Sequence, residues 1–130
     1  DISKVASGGE LSRVMLALKS VMAGLTTLPT MIFDEIDTGV SGRIADRMGS
    51  MIGEMGENMQ IFSITHLPQI ASKKGTHFLV YKEFVEGGAK THIKPLSEQE
   101  RVMELARMLS GANLTDAEIE NAKELLRNNL

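Results

Sequence analysis

Residues 31–37 read Met31-Ile32-Phe33-Asp34-Glu35-Ile36-Asp37. An unbroken apolar run followed at once by two carboxylates has the form of a buried parallel strand that delivers acids to its C-terminal end. In open α/β sheets ligands collect at that edge. Successive strand residues face opposite sides, so Asp34 and Glu35 are free to take different tasks. One acid there can hold Mg²⁺, directly or through water, because hard cations prefer oxygen ligands. The other can orient or deprotonate an attacking water. A pair of solvated acids opening a turn looks the same locally, so the stretch by itself fits both readings.

Toward the N-terminus lies Ser7-Gly8-Gly9-Glu10, directly before a helical pattern. Leu11, Val14, Met15, Leu18, Val21 and Met22 recur at three- and four-residue steps and form one apolar face, closed off by Gly24 and Pro29. Two glycines let backbone come close to a ligand, and a helix start offers unpaired N–H groups at the positive end of its dipole. Together these make a phosphate site, with the Ser7 hydroxyl as an extra donor. A glycine-softened helix start capped by Ser7 is the plainer alternative.

Toward the C-terminus, Asp37-Thr38-Gly39-Val40-Ser41 is a turn leading into a helix over residues 41–55, with Ser41 as cap and Ile44, Ala45, Met48, Ile52 and Met55 expected inward. Residues 60–65 form a second short strand, ending in Thr65-His66. Neighbouring strand ends would bring His66 toward the two acids, where an imidazole can contact a terminal phosphate or polarise water. Pro68 starts a short helix ending near Gly75. Residues 78–84 and 90–96 flank Gly87-Gly88, a hairpin signal. His77 and His92, in or beside those strands, read as ordinary surface residues. Ser97 with Glu100, and Thr115 with Glu118, are capping boxes that open two more helices. Strands alternating with helices, then a hairpin and two helices, indicate an α/β fold with a partly parallel sheet.

Composition narrows the function classes. The 130 residues suffice for a compact domain with a real core, and 42% hydrophobic with 24% charged residues is ordinary globular usage. A net charge of -3, from 14 basic and 17 acidic residues, argues against this piece alone being a strong nucleic-acid binder. The absence of cysteine excludes a disulfide framework and a cysteine-based metal site. With no cysteine, a cytosolic address is expected. No apolar run approaches the ~20 residues of a membrane helix, and no signal peptide is visible.

In order, SGGE, a helix, MIFDEID, a second helix and a strand ending in TH resemble the second half of an ABC ATPase nucleotide-binding domain. The strings VASGGELSRVMLALK, FDEIDTGVSGRIA and ITHLPQIA, and glutamate rather than glutamine after the two glycines, resemble the SMC-like branch of that family, specifically its bacterial DNA-repair members. The resemblance covers essentially all of residues 1–130. It implies the C-terminal half of an ABC-type (P-loop NTPase) ATPase head, with a C-terminal β-hairpin and two helices. SGGE would be the signature motif, Asp34-Glu35 the Walker B pair, Asp37 the start of the D-loop and His66 the switch.

The resemblance implies ATP and Mg²⁺ as cofactors. Asp34 would serve the metal, Glu35 and His66 would be catalytic, and Ser7, Gly8, Gly9, Glu10 and Asp37 would bind the nucleotide. Implied partners are a second head, with nucleotide sandwiched between the two, the N-terminal half of the same head, and DNA through the whole protein, but no membrane. The implied setting is the bacterial cytoplasm, with nucleoid association during double-strand break repair. No G-x-x-x-x-G-K-[ST] occurs in the chain. In the SMC-like layout that Walker A loop lies near the N-terminus, beyond a long coiled coil, so this piece alone is expected to be inactive. An ATPase subunit of another ABC system, such as a transporter, and a non-catalytic interaction module remain as alternatives.

Overall fold

The computed structural model describes residues 8–25, 29–111 and 113–129. The chain forms two compact units, residues 1–73 and 74–130.

The first unit is built around a βαβ crossover. Strand β1 (Thr30–Asp34) pairs in parallel with β2 (Gln60–Ile64), in register from Thr30 opposite Gln60 to Asp34 opposite Ile64. Helix α2 (Gly42–Met55) connects them, because parallel neighbours require a long return path. Helix α1 (Gly8–Leu25) precedes β1, and the short α3 (Pro68–Ala71) follows β2, with proline in its first turn. The core joins Leu16 of α1, Phe33 of β1, Val40, then Ala45, Met48 and Ile52 of α2, and Ile70 of α3. Phe33 is fully buried, and the Lys19 ammonium lies 5.3 Å from its ring centroid. Lys73 ties α3 back to α2 through a 2.6 Å ion pair with Asp46.

Several burial expectations change here. Leu11, Val14, Met15, Leu18, Val21 and Met22, the predicted apolar face of α1, are all exposed, Val21 to 61%. Leu16, outside that set, is the buried residue. The helix is apolar on two sides, and this unit uses the narrower one: Gly9 and Leu16, seven residues and thus two turns apart, face inward. The sheet has the same character. Met31, Phe33 and Ile61 face the helices, while Ile32, Phe62 and Ile64 on the opposite face are 59%, 48% and 53% exposed. Parallel sheets are ordinarily covered on both faces. In α2 the buried residues are Ala45, Met48, Gly49 and Ile52. Ile44 is exposed, one step around the helix from Ala45, and Met55 is half-buried. Ser41 occupies the cap position in extended backbone but makes no side-chain cap bond.

In the second unit, β3 (Phe78–Val85) and β4 (Gly88–Pro95) form an antiparallel hairpin. Val85 pairs with Gly88, leaving Glu86-Gly87 as a two-residue loop with Gly87 at φ 88°. Helices α4 (Glu98–Ser110) and α5 (Asp116–Arg127) pack together, burying Leu105, Ala106 and Ala122. Both capping boxes form. The Ser97 hydroxyl accepts from the Glu100 N–H (3.2 Å), and the Glu100 carboxylate accepts from the Ser97 N–H (3.3 Å) and from Lys94 (2.7 Å). Those bonds hold the Glu100 carboxyl below the usual range, Lys94 contributing most. His92 meets the surface expectation, stacking on Tyr81 and lying 2.7 Å from Glu83. His77 does not. It is half-buried with an unpartnered, buried Nδ1, and burial, aided by Arg101 and opposed by Glu104, pushes its pKa down.

Candidate active site

Asp34 is the last residue of β1, exposed, opposite Ile64. The Glu35 N–H extends the ladder one step by donating to the Ile64 carbonyl at 3.0 Å. The chain then turns sharply, with Glu35 at φ 49°, the left-handed region that a residue with a Cβ rarely enters. Such a conformation costs about 1–3 kcal/mol and persists where surrounding structure over-determines it. Here the Glu35 carbonyl accepts from both the N–H (3.4 Å) and the hydroxyl (2.9 Å) of Thr38. Strand alternation was expected to separate the two acids. Glu35 in fact lies past the strand, and the left-handed turn sets its direction. Both carboxylates are exposed at the C-terminal edge of the sheet.

Asp37 goes the other way. It is 1% exposed, and one of its carboxylate oxygens accepts a hydrogen bond from the Thr65 hydroxyl. Thr65 also accepts from the Leu67 N–H at 3.0 Å. His66, between them, is exposed. Because β1 and β2 are parallel neighbours, the segment after each strand emerges at one edge, and the Asp37–Thr65 bond joins the two segments there. The other Asp37 oxygen, Oδ1, is buried without a partner.

The start of α1 lies against the same turn. Ser7 is outside the described residues. Gly8 opens the helix, and Glu10 is exposed in its first turn, where an acid suits the dipole. Gly9 is buried: a Cβ there would stand 2.7 Å from the Gly39 carbonyl oxygen. The second glycine of SGGE thus lets the helix start approach the chain's own turn. Gly39 itself sits at φ 75°. Among the expected site residues, the structure therefore gathers Asp34, Glu35 and His66 at the sheet edge, seats Gly9 against the adjoining turn, and buries Asp37 within it.

No protein-family model matches the chain. Curated proteins do. The DNA repair protein RecN of Bacillus subtilis (strain 168) is 49% identical over 126 residues, which is 97% of this chain and 22% of that protein. RecN of Halalkalibacterium halodurans is 44% identical over 96% of the chain and 22% of its own length. RecN of Rickettsia conorii is 46% identical over 96% of the chain and 23% of its own length. The chain spans under a quarter of the length of these relatives. The chain also has the fold of a solved SMC ATPase, with TM-score 0.64 and 20% identity over 85% of this chain and 66% of that one. That structure belongs to work on ATP-driven dimerization and DNA-stimulated activation of SMC ATPases. The expected α/β head architecture, parallel sheet, hairpin and helices, is thus present.

Thr65, at this edge, was not legible in the sequence. A threonine at a strand end carries no signal of its own; its role appears only once Asp37, 28 residues earlier, is buried beside it. Among the described residues no group of three or more His, Asp or Glu side chains could hold a metal ion. The exposed Asp34 carboxylate still fits Mg²⁺, which keeps several waters and takes one or two carboxylates plus substrate phosphates. Among the described residues no helix is long and apolar enough to cross a membrane.

Proposed function

We propose that this chain is the C-terminal half of an ATPase head in a RecN-like protein, where ATP binding and hydrolysis drive head engagement during repair of DNA double-strand breaks. The observation that carries this reading is the edge itself: two exposed acids and an exposed histidine emerge together from parallel strands, in a sequence 44–49% identical to RecN proteins. Asp34 would hold Mg²⁺, which when bound would neutralise phosphate charge. Glu35 would accept the proton of the attacking water, and His66 would contact the terminal phosphate. Ser7, Gly8 and Gly9 of the SGGE motif reach the nucleotide held by a second head, and Glu10 and Asp37 belong to the same nucleotide-binding set. The RecN similarity favours this over a transporter subunit.

The uncovered sheet face, Ile32, Phe62 and Ile64, and the outward stripe of α1 support a further part of the reading: the N-terminal half of the head, with the Walker A loop, packs there. Burying such apolar surface is the dominant favourable term in association. The cytoplasm is the setting this activity requires.

Two neutralised acids in the full-length protein test the assignment. Glu35→Gln should cut hydrolysis by ~10²-fold or more while ATP binding survives, as loss of a general base requires. Asp34→Asn should instead weaken Mg²⁺-dependent nucleotide binding. Parental turnover in Glu35→Gln removes Glu35 from the role.

A further inference from the structure

We propose that Thr65 and Asp37 are positioning residues, their buried hydrogen bond locking the turn that carries Glu35 to the loop that carries His66. The proposal rests on the ATPase reading above. It begins with a cost: burying a carboxylate to 1% exposure is expensive, and only one of the two Asp37 oxygens has a partner, the Thr65 hydroxyl. A turn needing only shape would use an apolar residue at position 37. Here an acid is buried instead, and its partner comes from the other strand's end.

The Thr65 hydroxyl donates its one proton to Asp37, while its oxygen accepts from the Leu67 N–H. A single hydroxyl therefore holds both sides of His66: the residue before it through Asp37, the residue after it through its own backbone bond. On the other strand, Asp37 lies two residues past Glu35, and its carbonyl accepts from the Val40 N–H at 3.0 Å to close the turn. The left-handed Glu35 is thus braced by the ladder bond to Ile64, by Thr38 and by the anchored Asp37. Glu35 and His66 are both exposed side chains on short segments, and the lock restrains the relative motion of their backbones. Catalytic groups need placement to within about 0.5 Å, and a misplacement of about 1 Å costs ~10²-fold in rate.

Thr65→Val keeps the shape, but strips Asp37 of its partner and frees the Leu67 N–H. In the full-length protein, kcat for ATP hydrolysis should fall ~10- to 100-fold with KM for Mg-ATP changed less than about threefold. Thr65→Ser, which keeps the hydroxyl, should retain most of the rate. In the nucleotide-free protein, amide exchange of residues 66 and 67 should quicken in Thr65→Val while that of β1 and α2 holds. If Thr65→Val does not fold, Thr65→Ala replaces it. Three results overturn the proposal: parental kcat in Thr65→Val, equal loss of kcat in Thr65→Ser and Thr65→Val, or faster exchange throughout residues 30–64. Glu35→Gln run in parallel separates the two levels. If it hydrolyses ATP at the parental rate, the ATPase assignment of Glu35 has failed, and the lock is then judged by amide exchange alone. If it is inactive and Thr65→Val is parental, only the lock has failed.

Discussion

Replacing Gly9 with alanine puts a methyl group 2.7 Å from the Gly39 carbonyl oxygen and 3.3 Å from the carbonyl carbon. Ordinary contact begins near 3.4 Å, so the oxygen is approached too closely by 3.4 − 2.7 = 0.7 Å. Both clashing atoms are backbone, in the turn that also anchors Glu35 and Asp37, so neither can swing aside like a side-chain tip. Overpacking of this kind costs about 1–3 kcal/mol. Alanine returns at most about 1 kcal/mol of helix propensity, and less in a first turn. The net effect should be a loss of about 1–2 kcal/mol. Gly53 in α2 is the control, since its added Cβ meets nothing within 4 Å. Gly53→Ala should stabilise by about 0.5–1 kcal/mol. Urea unfolding of the chain, followed by helical circular dichroism, compares the two. Opposite signs are expected. A Gly9→Ala midpoint at or above the parent's would refute the packing of the α1 start against the turn at Gly39.

Burial lowers the His77 pKa, so in acid the unfolded chain takes up a proton that the folded one resists; stability of the second unit should fall as pH drops through about 6.5 and level off below the folded pKa. Urea midpoints at neutral and mildly acid pH should show a larger loss for the parent than for His77→Gln, and equal losses would contradict this. The outward stripe of α1 should drive self-association of the isolated chain, and Val21→Lys, at a residue 61% exposed, should reduce it with little change in stability. Light scattering from the two at equal concentration decides, a monomeric parent being the adverse result.

What the sequence made legible was local. The apolar run ahead of Asp34, the proline opening α3, the Gly87 turn and the two capping boxes each act within a few residues, and each appears where the pattern put it. The failures share a cause, which is that burial is decided by distant neighbours. Periodicity showed that α1 has an apolar stripe, but not that Leu16 on its other side would be the residue to join Phe33 in the core. Turn chemistry around Asp37 gave no hint of burial, because its partner Thr65 comes from the end of the next strand. Glycine in SGGE suggested close approach of backbone, but not that the chain's own Gly39 would be a neighbour that requires Gly9. His77 looked like a surface residue, and only the fold sets it beside Arg101 and Glu104 of α4.

If this chain supplies half of a nucleotide site completed by a second head, two heads with different defects should complement each other on mixing. Full-length heads carrying Ser7→Arg present a bulky cation in the SGGE motif, which should face the partner's nucleotide. Heads lacking the phosphate-binding lysine of the other half cannot hold nucleotide themselves. Each protein alone should be inactive. Mixed, they should regain about one working site per dimer, because one composite site then has both halves intact. Heterodimers proven to form, yet hydrolysing ATP no faster than either protein alone, would contradict the account.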